Sequence, residues 1–419
     1  MCSEVMASGG LHICCLTRIT LGHSVKGGME VHVDSLARGL VARGYRVTVV
    51  TTGRTDGTEV ETIDGVRTFY LSGTTPGRYS HEWGRATLSC LERLHAEDPI
   101  DIIWGEGAGA YYYLKWHRNP LAIPVFTFLQ GTYLGELGTF WTTLCAKGEW
   151  RKFFKTIAWR TIQYFRWDLW YTHGADVVIG ASRENAKLAQ WGYFLPRRKV
   201  VTSVNGVDVD RFSPDPVSGR ELRKRIGIPD DIPVLLYCGR LEPEKGGEVA
   251  IRAFAQLRSQ HPSLRLIIAG DGSQREELLA LAVHLRVSDG IHFIGHVLNH
   301  ELPAFYNACT VFLYPTLAVE SFGIAVAEAM ACGRPVVASR RGGILTSIED
   351  QETGLLVPAG NSAALARAVG RLLADPSASA RIGKSARVKA EQSLSTARMV
   401  EDVLAVVLRL TAHCKRGRG

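Results

Sequence analysis

Residues 311–338 read VFLYPTLAVESFGIAVAEAMACGRPVVA. Four apolar residues, Val311–Tyr314, form a strand-like run that ends at Pro315, and Thr316–Ser321 is a loop. Small and apolar residues over 323–332 then read as a helix, and Pro335–Ala338 as the next strand. Strand, loop, helix and strand in so short a span make a βαβ unit, which requires parallel strands joined by a crossover helix.

Working outward, the same alternation fills the second half of the chain. Strands are expected at Val234–Cys238, Arg265–Ala269, His292–Ile294 and Gly354–Val357, with helices around 247–260, 274–286, 301–308 and 361–374. The first half repeats the theme. A strand at Leu11–Leu16 precedes a helix over Gly28–Arg43, Gly44 ends that helix, and Arg46–Thr51 is the next strand. Apolar runs come next at Ile100–Trp104, Val125–Leu129 and Asp176–Ile179. Turn residues in Asn205–Pro216 (NGVDVDRFSPDP) interrupt the pattern. The expected organisation is a first α/β domain over 1–205, a hinge over 206–216, and a second domain over 217–394. A helix in 395–419 then crosses back to the first domain and ends in a basic tail of Lys415, Arg416 and Arg418. The fold class is α/β: two doubly wound, Rossmann-like parallel sheets facing across a cleft, with ligands beyond the carboxyl ends of the strands.

Composition narrows the function. The chain has 419 residues, 46% apolar and 21% charged, with a net charge of +8. That excludes disordered and low-complexity classes and allows about two to three domains of ~150 residues. No apolar run approaches the ~18 residues of a membrane span, and Met1–Gly10 lacks the pattern of a secretion signal. Nine scattered cysteines without a C-x-x-C pair read as reduced thiols of a cytosolic protein, with no zinc site. A basic surface attracts phosphorylated partners, but aromatic RNA-binding signatures are absent, so nucleic acid is not an expected partner.

The chemistry-bearing residues cluster at strand-to-helix turns. Glu320 stands just before the helix over 323–332 and Glu328 two turns into it. Unpaired N–H groups at a helix start suit anionic oxygens, and a carboxylate can accept from two vicinal hydroxyls at once. The same spacing also fits a helix cap followed by a carboxylate on a solvated face.

The block from Glu320 to Ala338 resembles the E-x7-E motif of retaining glycosyltransferases of family 4, which have the GT-B fold. Other blocks match in the same order: Lys26-Gly27-Gly28-Met29-Glu30, Asn205-Gly206-Val207-Asp208, Gly239-Arg240-Leu241 through Lys245-Gly246, Gly270-Asp271-Gly272, and Glu352-Thr353-Gly354-Leu355-Leu356-Val357. The resemblance covers about residues 11 to 375. It implies a nucleotide-sugar as co-substrate, with no metal and no other cofactor. Arg240 and Lys245 would bind the diphosphate; the plain alternative is a surface ion pair with Glu242 or Glu244. Glu328 would hold the ribose hydroxyls and Glu320 the transferred sugar, helped by backbone near Ser321, Phe322 and Gly323. Gly27 and Gly28 would let a loop approach the phosphates, or form a simple turn. Gly270 would support the nucleotide pocket or serve as a strand exit, and His296 and Val297 would meet the base. Catalysis would rest on Glu320, Arg240 and Lys245, with front-face attack by the acceptor and retention of configuration.

Two positions depart from the family pattern. After Val125–Leu129 the family commonly has His-Gly, whereas this chain has Gln130-Gly131, and Gln cannot carry a proton at neutral pH. After Gly342-Gly343 the usual Pro-Glu is replaced by Ile344-Leu345, which implies different donor contacts there. Gln130, Gly131 and Glu106 are the expected acceptor side. Asp208-x-Asp210 has the form of a metal–diphosphate motif but is expected to stabilise a turn. Gly105-x-Gly107-x-x-Ala110 matches a dinucleotide fingerprint literally, yet it lies far from the first βα turn and is expected to line the acceptor cleft. No G-x-S-x-G elbow is present.

The stretch 133–171 holds 12 of the 36 aromatic residues. Trp150, Phe153, Phe154, Ile157, Thr161, Tyr164 and Phe165 share a helical stripe, with Arg151, Lys152, Lys155 and Arg166 opposite. The favoured expectation is an aromatic stripe packed on the first domain and a basic face in water. Peripheral contact with an anionic membrane and a wall for a lipid-linked acceptor are the other readings. The expected location is cytoplasmic, with any peripheral contact at the inner face of the membrane. The expected function is sugar transfer from a nucleotide-sugar to a glycan, lipid-linked or small-molecule acceptor. The alternatives are a sugar-nucleotide epimerase or hydrolase of the same fold, and a non-catalytic sugar-nucleotide-binding protein.

Overall fold

A computed structural model of the chain describes residues 10–23, 28–117, 119–145 and 150–416. Cys2, Lys26, Gly27 and Arg418 lie outside the described residues, as do the side chains of Cys145, Cys414, Lys415 and Arg416. The chain forms two compact units. The first comprises Met1–Leu134, Phe154–Gly206 and Thr396–Gly419, and the second Gly135–Phe153 and Val207–Ser395.

In the first unit the strands are β1 (His12–Leu16), β2 (Arg46–Thr52), β3 (Val60–Ile63), β4 (Val66–Leu71), β5 (Ile102–Glu106), β6 (Val125–Leu129), β7 (Val177–Gly180) and β8 (Val200–Thr202). They lie in the order β3-β4-β2-β1-β5-β6-β7-β8. Pairing is parallel except between β3 and β4, so the sheet is mixed at one edge. β1, β5 and β6 are buried along their whole length, as unbroken apolar runs must be when helices cover both faces. The β3–β4 hairpin departs from the all-parallel expectation. Its turn is Asp64-Gly65, both at positive φ (48° and 79°), the geometry that Asp-Gly favours in tight hairpins. β3 is mostly exposed, so no buried face marks it in the sequence. β8 has only three half-buried residues and leaves equally little signal.

Helix Thr396–Arg416 packs in the first unit against helix Gly28–Ala42. Met399, Val400, Val403, Val406, Val407 and Leu410 form its buried stripe at helical spacing. Gly39 makes the close approach possible, because a Cβ there would meet Val400 Cγ2 at 2.4 Å.

The second unit is built on β9 (Val234–Cys238), β10 (Arg265–Ala269), β11 (Ile291–Gly295), β12 (Val311–Tyr314), β13 (Val336–Ser339) and β14 (Leu355–Val357). All pairs are parallel, in the order β11-β10-β9-β12-β13-β14. The chain runs outward from β9 to β11 and returns to β12 beside β9, so the topological switch point lies between β9 and β12. Side-chain caps fix the starts of the helices that precede and follow the sheet in the chain: Asp215 before Pro216, Asn361, and Asp375 before Pro376.

The stretch 133–171 differs from the single packed insertion expected. Gly135–Phe153 belongs to the second unit and the remainder to the first. Helices Tyr133–Phe140, Trp150–Gln163 and Leu169–Gly174 alternate with π-helical turns at Trp141–Cys145 and Tyr164–Asp168. The aromatic stripe is not buried as one face. Phe153 and Tyr164 are buried, but Trp150, Phe154 and Phe165 are exposed, together with Trp141, Trp159 and Trp170. Within the α-helix Trp150–Gln163 only Phe153 of the stripe is buried, so a narrow seam is covered and its flanks are not; the π turn shifts the phase only from Tyr164 onward. No helix among the described residues is long and apolar enough to cross a membrane.

Candidate active site

The carboxyl ends of β9 and β12 carry the site on the second unit. After β9 the chain turns through Gly239-Arg240-Leu241 into a 3-10 turn, Pro243–Lys245, and Gly246 at φ 75° leads into helix Gly247–Arg258. A Cβ on Gly246 would lie 2.1 Å from the Pro315 carbonyl oxygen, so this glycine allows the turn to press against the end of β12. The contact is tied further by the Glu244 carbonyl, which accepts from the Leu317 and Ala318 N–H groups (2.7 and 3.0 Å) and from the Thr316 hydroxyl (3.0 Å).

That clasp brings Lys245 to Glu320. Lys245 Nζ donates to Glu320 Oε1 at 2.7 Å, and Thr316 Oγ1 lies 3.1 Å from the same oxygen, its one proton shared between this carboxylate and the Glu244 carbonyl. Both charged groups keep some water contact, with side chains 19% and 14% exposed. A charge pair at this depth can exchange partners with an incoming anion without the full cost of burying a bare charge. Arg240 stands on the rim, 68% exposed, with its nearest nitrogen 3.8 Å from Glu244 Oε1. This is the surface pairing offered as the plain alternative, and it is too long for a hydrogen bond.

Glu328 is nearly buried, in helix Ile324–Ala331, and accepts from the Tyr306 hydroxyl at 2.7 Å. Burial pushes its carboxyl up to about 7, with the Tyr306 bond and the Arg211 charge pulling the other way. Phe322 is buried and Gly323, at φ 86°, forms the helix N-cap. The first N–H groups of this helix have no carbonyl one turn back. Ser321 is half-buried on the same loop. Behind the loop, Gly343 N–H donates to the Glu320 carbonyl at 2.6 Å, and a Cβ on Gly342 would lie 2.4 Å from that carbonyl oxygen. Gly342-Gly343 therefore backs the Glu320 loop at close quarters. Gly270 (φ 144°) leaves β10 hard against Gly239, where a Cβ would meet the carbonyl oxygen at 1.9 Å. His296 (exposed) and Val297 (half-buried) come after β11, the outermost strand of the sheet.

At the carboxyl ends of β5 and β6 the first unit holds a different group. Glu106 is fully buried and accepts from Trp104 Nε1 at 3.1 Å; the two are i and i+2 on one strand face. Burial pushes its carboxyl up to about 8, hydrogen bonds with Gln130 and Trp104 lower it, and Glu30 adds to the rise. His32 Nε2 lies 3.7 Å from Glu106 Oε2, and burial pushes the imidazole down to about 3, so it is neutral. Gln130 is joined to Asn205 by paired amides, Asn205 Nδ2 donating at 2.8 Å and Gln130 Nε2 returning a longer bond of 3.4 Å. Gly131 is exposed, and Gly28 is the first residue of its helix.

In the Gly105–Ala110 turn Gly107 and Ala108 are half-buried, and the remainder is closely packed. Gly109 and Ala110 are buried, and a Cβ on Gly109 would lie 1.8 Å from the Leu16 carbonyl oxygen. Asp208 Oδ1 accepts from the N–H groups of Asp210 (3.2 Å) and Arg211 (3.0 Å), closing a turn. Among the described residues no group of three or more His, Cys, Asp or Glu could hold a metal ion.

Sequence reasoning passes over Tyr306, Thr316 and Arg341. Tyr306 lies in helix Leu302–Ala308 and meets Glu328 only through packing. Thr316, four residues before Glu320, is the one of the three that a search for hydroxyls beside the carboxylates would find.

Two family models match the chain, Glycosyltransferase Family 4 over residues 26–211 and Glycosyl transferases group 1 over residues 218–389. A D-inositol 3-phosphate glycosyltransferase of Xylanimonas cellulosilytica is 30% identical over 375 residues, 86% of this chain and 87% of that protein. The chain belongs to this glycosyltransferase family. A GDP-mannose-dependent alpha-(1-6)-phosphatidylinositol monomannoside mannosyltransferase of Mycolicibacterium smegmatis is 40% identical over 220 residues, 51% of this chain and 57% of that protein. At that level of identity, the chain spans only about half the length of the curated relatives it matches. Sucrose-phosphate synthase from Thermosynechococcus elongatus shares the fold, with a TM-score of 0.77 at 23% identity, covering 96% of this chain and 100% of that one.

Proposed function

We propose that this chain transfers a sugar from a nucleotide-sugar to an acceptor with retention of configuration, without a metal. The observation that carries the reading is the convergence of Lys245, Glu320 and the buried Glu328 around the switch point of the second sheet. In this reading Lys245 and Arg240 take the diphosphate, Glu328 the ribose hydroxyls, and Glu320 the sugar being moved. Gly270 and the backbone of Ser321, Phe322 and Gly323 line the donor, and His296 and Val297 approach the base. Developing charge on the departing diphosphate is offset by two cations and a helix start. Glu320 is read as a positioning acid and not a nucleophile, the role that the family resemblance implies for it. Glu106, Gln130 and Gly131 serve the acceptor side, where Gln130 acts by hydrogen bonding alone.

Incubation with a panel of nucleotide-sugars tests this. Acceptor-dependent release of nucleoside diphosphate is the expected result. Acceptor-independent release or an isomerised sugar would instead indicate a hydrolase or epimerase, and binding without turnover a sugar-nucleotide-binding protein.

Exposed Trp150, Phe154, Trp159 and Phe165 share one stretch with exposed Arg151, Lys152, Lys155 and Arg166, a composition suited to an anionic membrane surface. It supports a lipid-linked acceptor met at the inner face of the membrane. Co-sedimentation with vesicles containing anionic phospholipid should exceed that with neutral vesicles and fall in Lys152→Glu/Lys155→Glu; equal sedimentation of wild type with both vesicles would remove this reading of the acceptor.

A further inference from the structure

The loop that presents Glu320 is gripped from two sides. One grip is the Glu244 carbonyl, which holds Thr316, Leu317 and Ala318. The other comes from residues 138–142, far earlier in the chain. Val319 N–H, next to Glu320, donates to Thr139 Oγ1 at 2.9 Å. Thr142 Oγ1 lies 3.0 Å from the Leu317 carbonyl oxygen, and Arg341 Nη2 donates to the Gly138 carbonyl at 2.6 Å. Gly138 permits the approach, since a Cβ there would stand 3.0 Å from Val319 Cγ2. The segment's own backbone is adapted to the task. It passes from α-helix to a π turn at Trp141, where the Thr139 carbonyl accepts from the Thr143 hydroxyl at 2.9 Å and the one proton of Thr142 is shared among the Gly138, Thr139 and Leu317 carbonyls at 3.1, 2.9 and 3.0 Å. A π turn of this kind leaves side chains and carbonyls available for bonds outside the helix.

We infer that Thr139, seconded by Thr142 and Arg341, is a positioning residue for Glu320: it fixes the register of loop 316–320 and so the place of the carboxylate that grips the transferred sugar. The inference rests on the donor reading of Glu320. Hydroxyl geometry is the operative feature. Thr139 Oγ1 accepts from the Val319 N–H while its own proton goes to the Gly135 carbonyl at 3.0 Å. A valine would keep the shape and leave that N–H without its acceptor, whereas a serine would keep the bond. Nucleotide binding does not run through this grip: Arg240 and Lys245 belong to the turn after β9, although Lys245 Nζ touches Glu320, and Glu328 stands in the following helix, held by Tyr306. Loss of Thr139 therefore separates sugar positioning from nucleotide binding.

The experiment compares Thr139→Val and Thr139→Ser with wild type in three readouts. The first is amide hydrogen exchange at Val319 in the absence of any ligand. The second is affinity for the nucleoside diphosphate, and the third is kcat and KM for the nucleotide-sugar. Thr139→Val is expected to speed Val319 exchange by at least ~10-fold and to lower kcat by ~10-fold or more. Nucleoside diphosphate affinity should stay within ~2-fold, and Thr139→Ser should recover most of kcat. Unchanged Val319 exchange in Thr139→Val would overturn the inference, as would equal losses of nucleotide affinity and turnover that serine does not rescue. If wild type transfers no sugar from any donor, the donor reading fails and the exchange result still decides whether Thr139 holds the loop.

Discussion

The two sheets end in polar clusters of opposite character. On the second unit, Lys245 and Glu320 are a charged pair near water, and Arg240 is fully on the rim. On the first, Glu106 and His32 are buried side by side, one pushed up to about 8 and the other down to about 3, so both are neutral at physiological pH. Solvated charges can trade one partner for another at small cost, which would suit the proposed binding and release of a diphosphate. Buried neutral groups cannot take up such a ligand, but they hold their geometry firmly and pass it along hydrogen bonds, here to Gln130 and then Asn205. Glu328 stands between the extremes: it is buried like Glu106, yet its carboxyl, at about 7, is poised to ionise when a ligand supplies hydroxyl donors.

The contrast is open to test, beginning where the effect should be greatest. Lys245→Ala removes a cation that no neighbour replaces on the pair, and turnover should fall by at least ~10²-fold in steady-state assays. A near-normal rate would break the assignment of the charged cluster to donor binding. Glu328→Gln should weaken nucleoside diphosphate binding by ~10-fold or more, measured by calorimetry near pH 8. In the proposed ribose contact the carboxylate is the accepting form, so wild-type affinity should decline as pH falls below about 7, and the Gln variant should show a flatter profile. An unchanged slope would move the ribose contact elsewhere.

The effect at Glu106 should be smaller and appear in stability. Its folded-state pKa lies above the unfolded value of 4.5, so wild type loses stability as pH rises from there through about 8. Glu106→Gln lacks this penalty. Its Tm should exceed that of wild type by a few degrees near pH 8.5 and by less near pH 5, in thermal melts across that range. A constant difference would show that Glu106 does not change its protonation on unfolding. Gly246→Ala sharpens the same comparison from the backbone side. Its Cβ would strike the Pro315 carbonyl, and the strained turn should lower Tm modestly and reduce turnover more than it reduces stability.

Much of this arrangement is legible in the chain itself. β6, β9, β10 and β12 run where their apolar stretches run, because a parallel strand covered on both faces needs an unbroken apolar segment. The β3–β4 hairpin escapes a linear reading although Asp64-Gly65 is a strong turn signal, since exposed Val60–Ile63 shows no buried alternation. The stripe over 150–165 keeps its α-helical period as far as Gln163, yet Trp150 and Phe154 stay exposed beside buried Phe153, because how much of the face is covered depends on distant segments. Among site residues, Lys245, Glu320 and Glu328 belong to local motifs that a linear reading can find. Tyr306 on Glu328 and Thr139 on Val319 are contacts across 22 and 180 residues, and neither position carries a local mark.

The sequence by itself determined two α/β units built mainly on parallel strands, their strand-end loops, and the charged residues those loops carry, because periodicity and turn chemistry act over a few residues. Only the tertiary structure decided which of those residues share a hydrogen bond, which carboxyls are forced toward neutrality, and that residues 138–142 brace the Glu320 loop. Those outcomes depend on burial and on close approach between distant segments, and a linear sequence records neither.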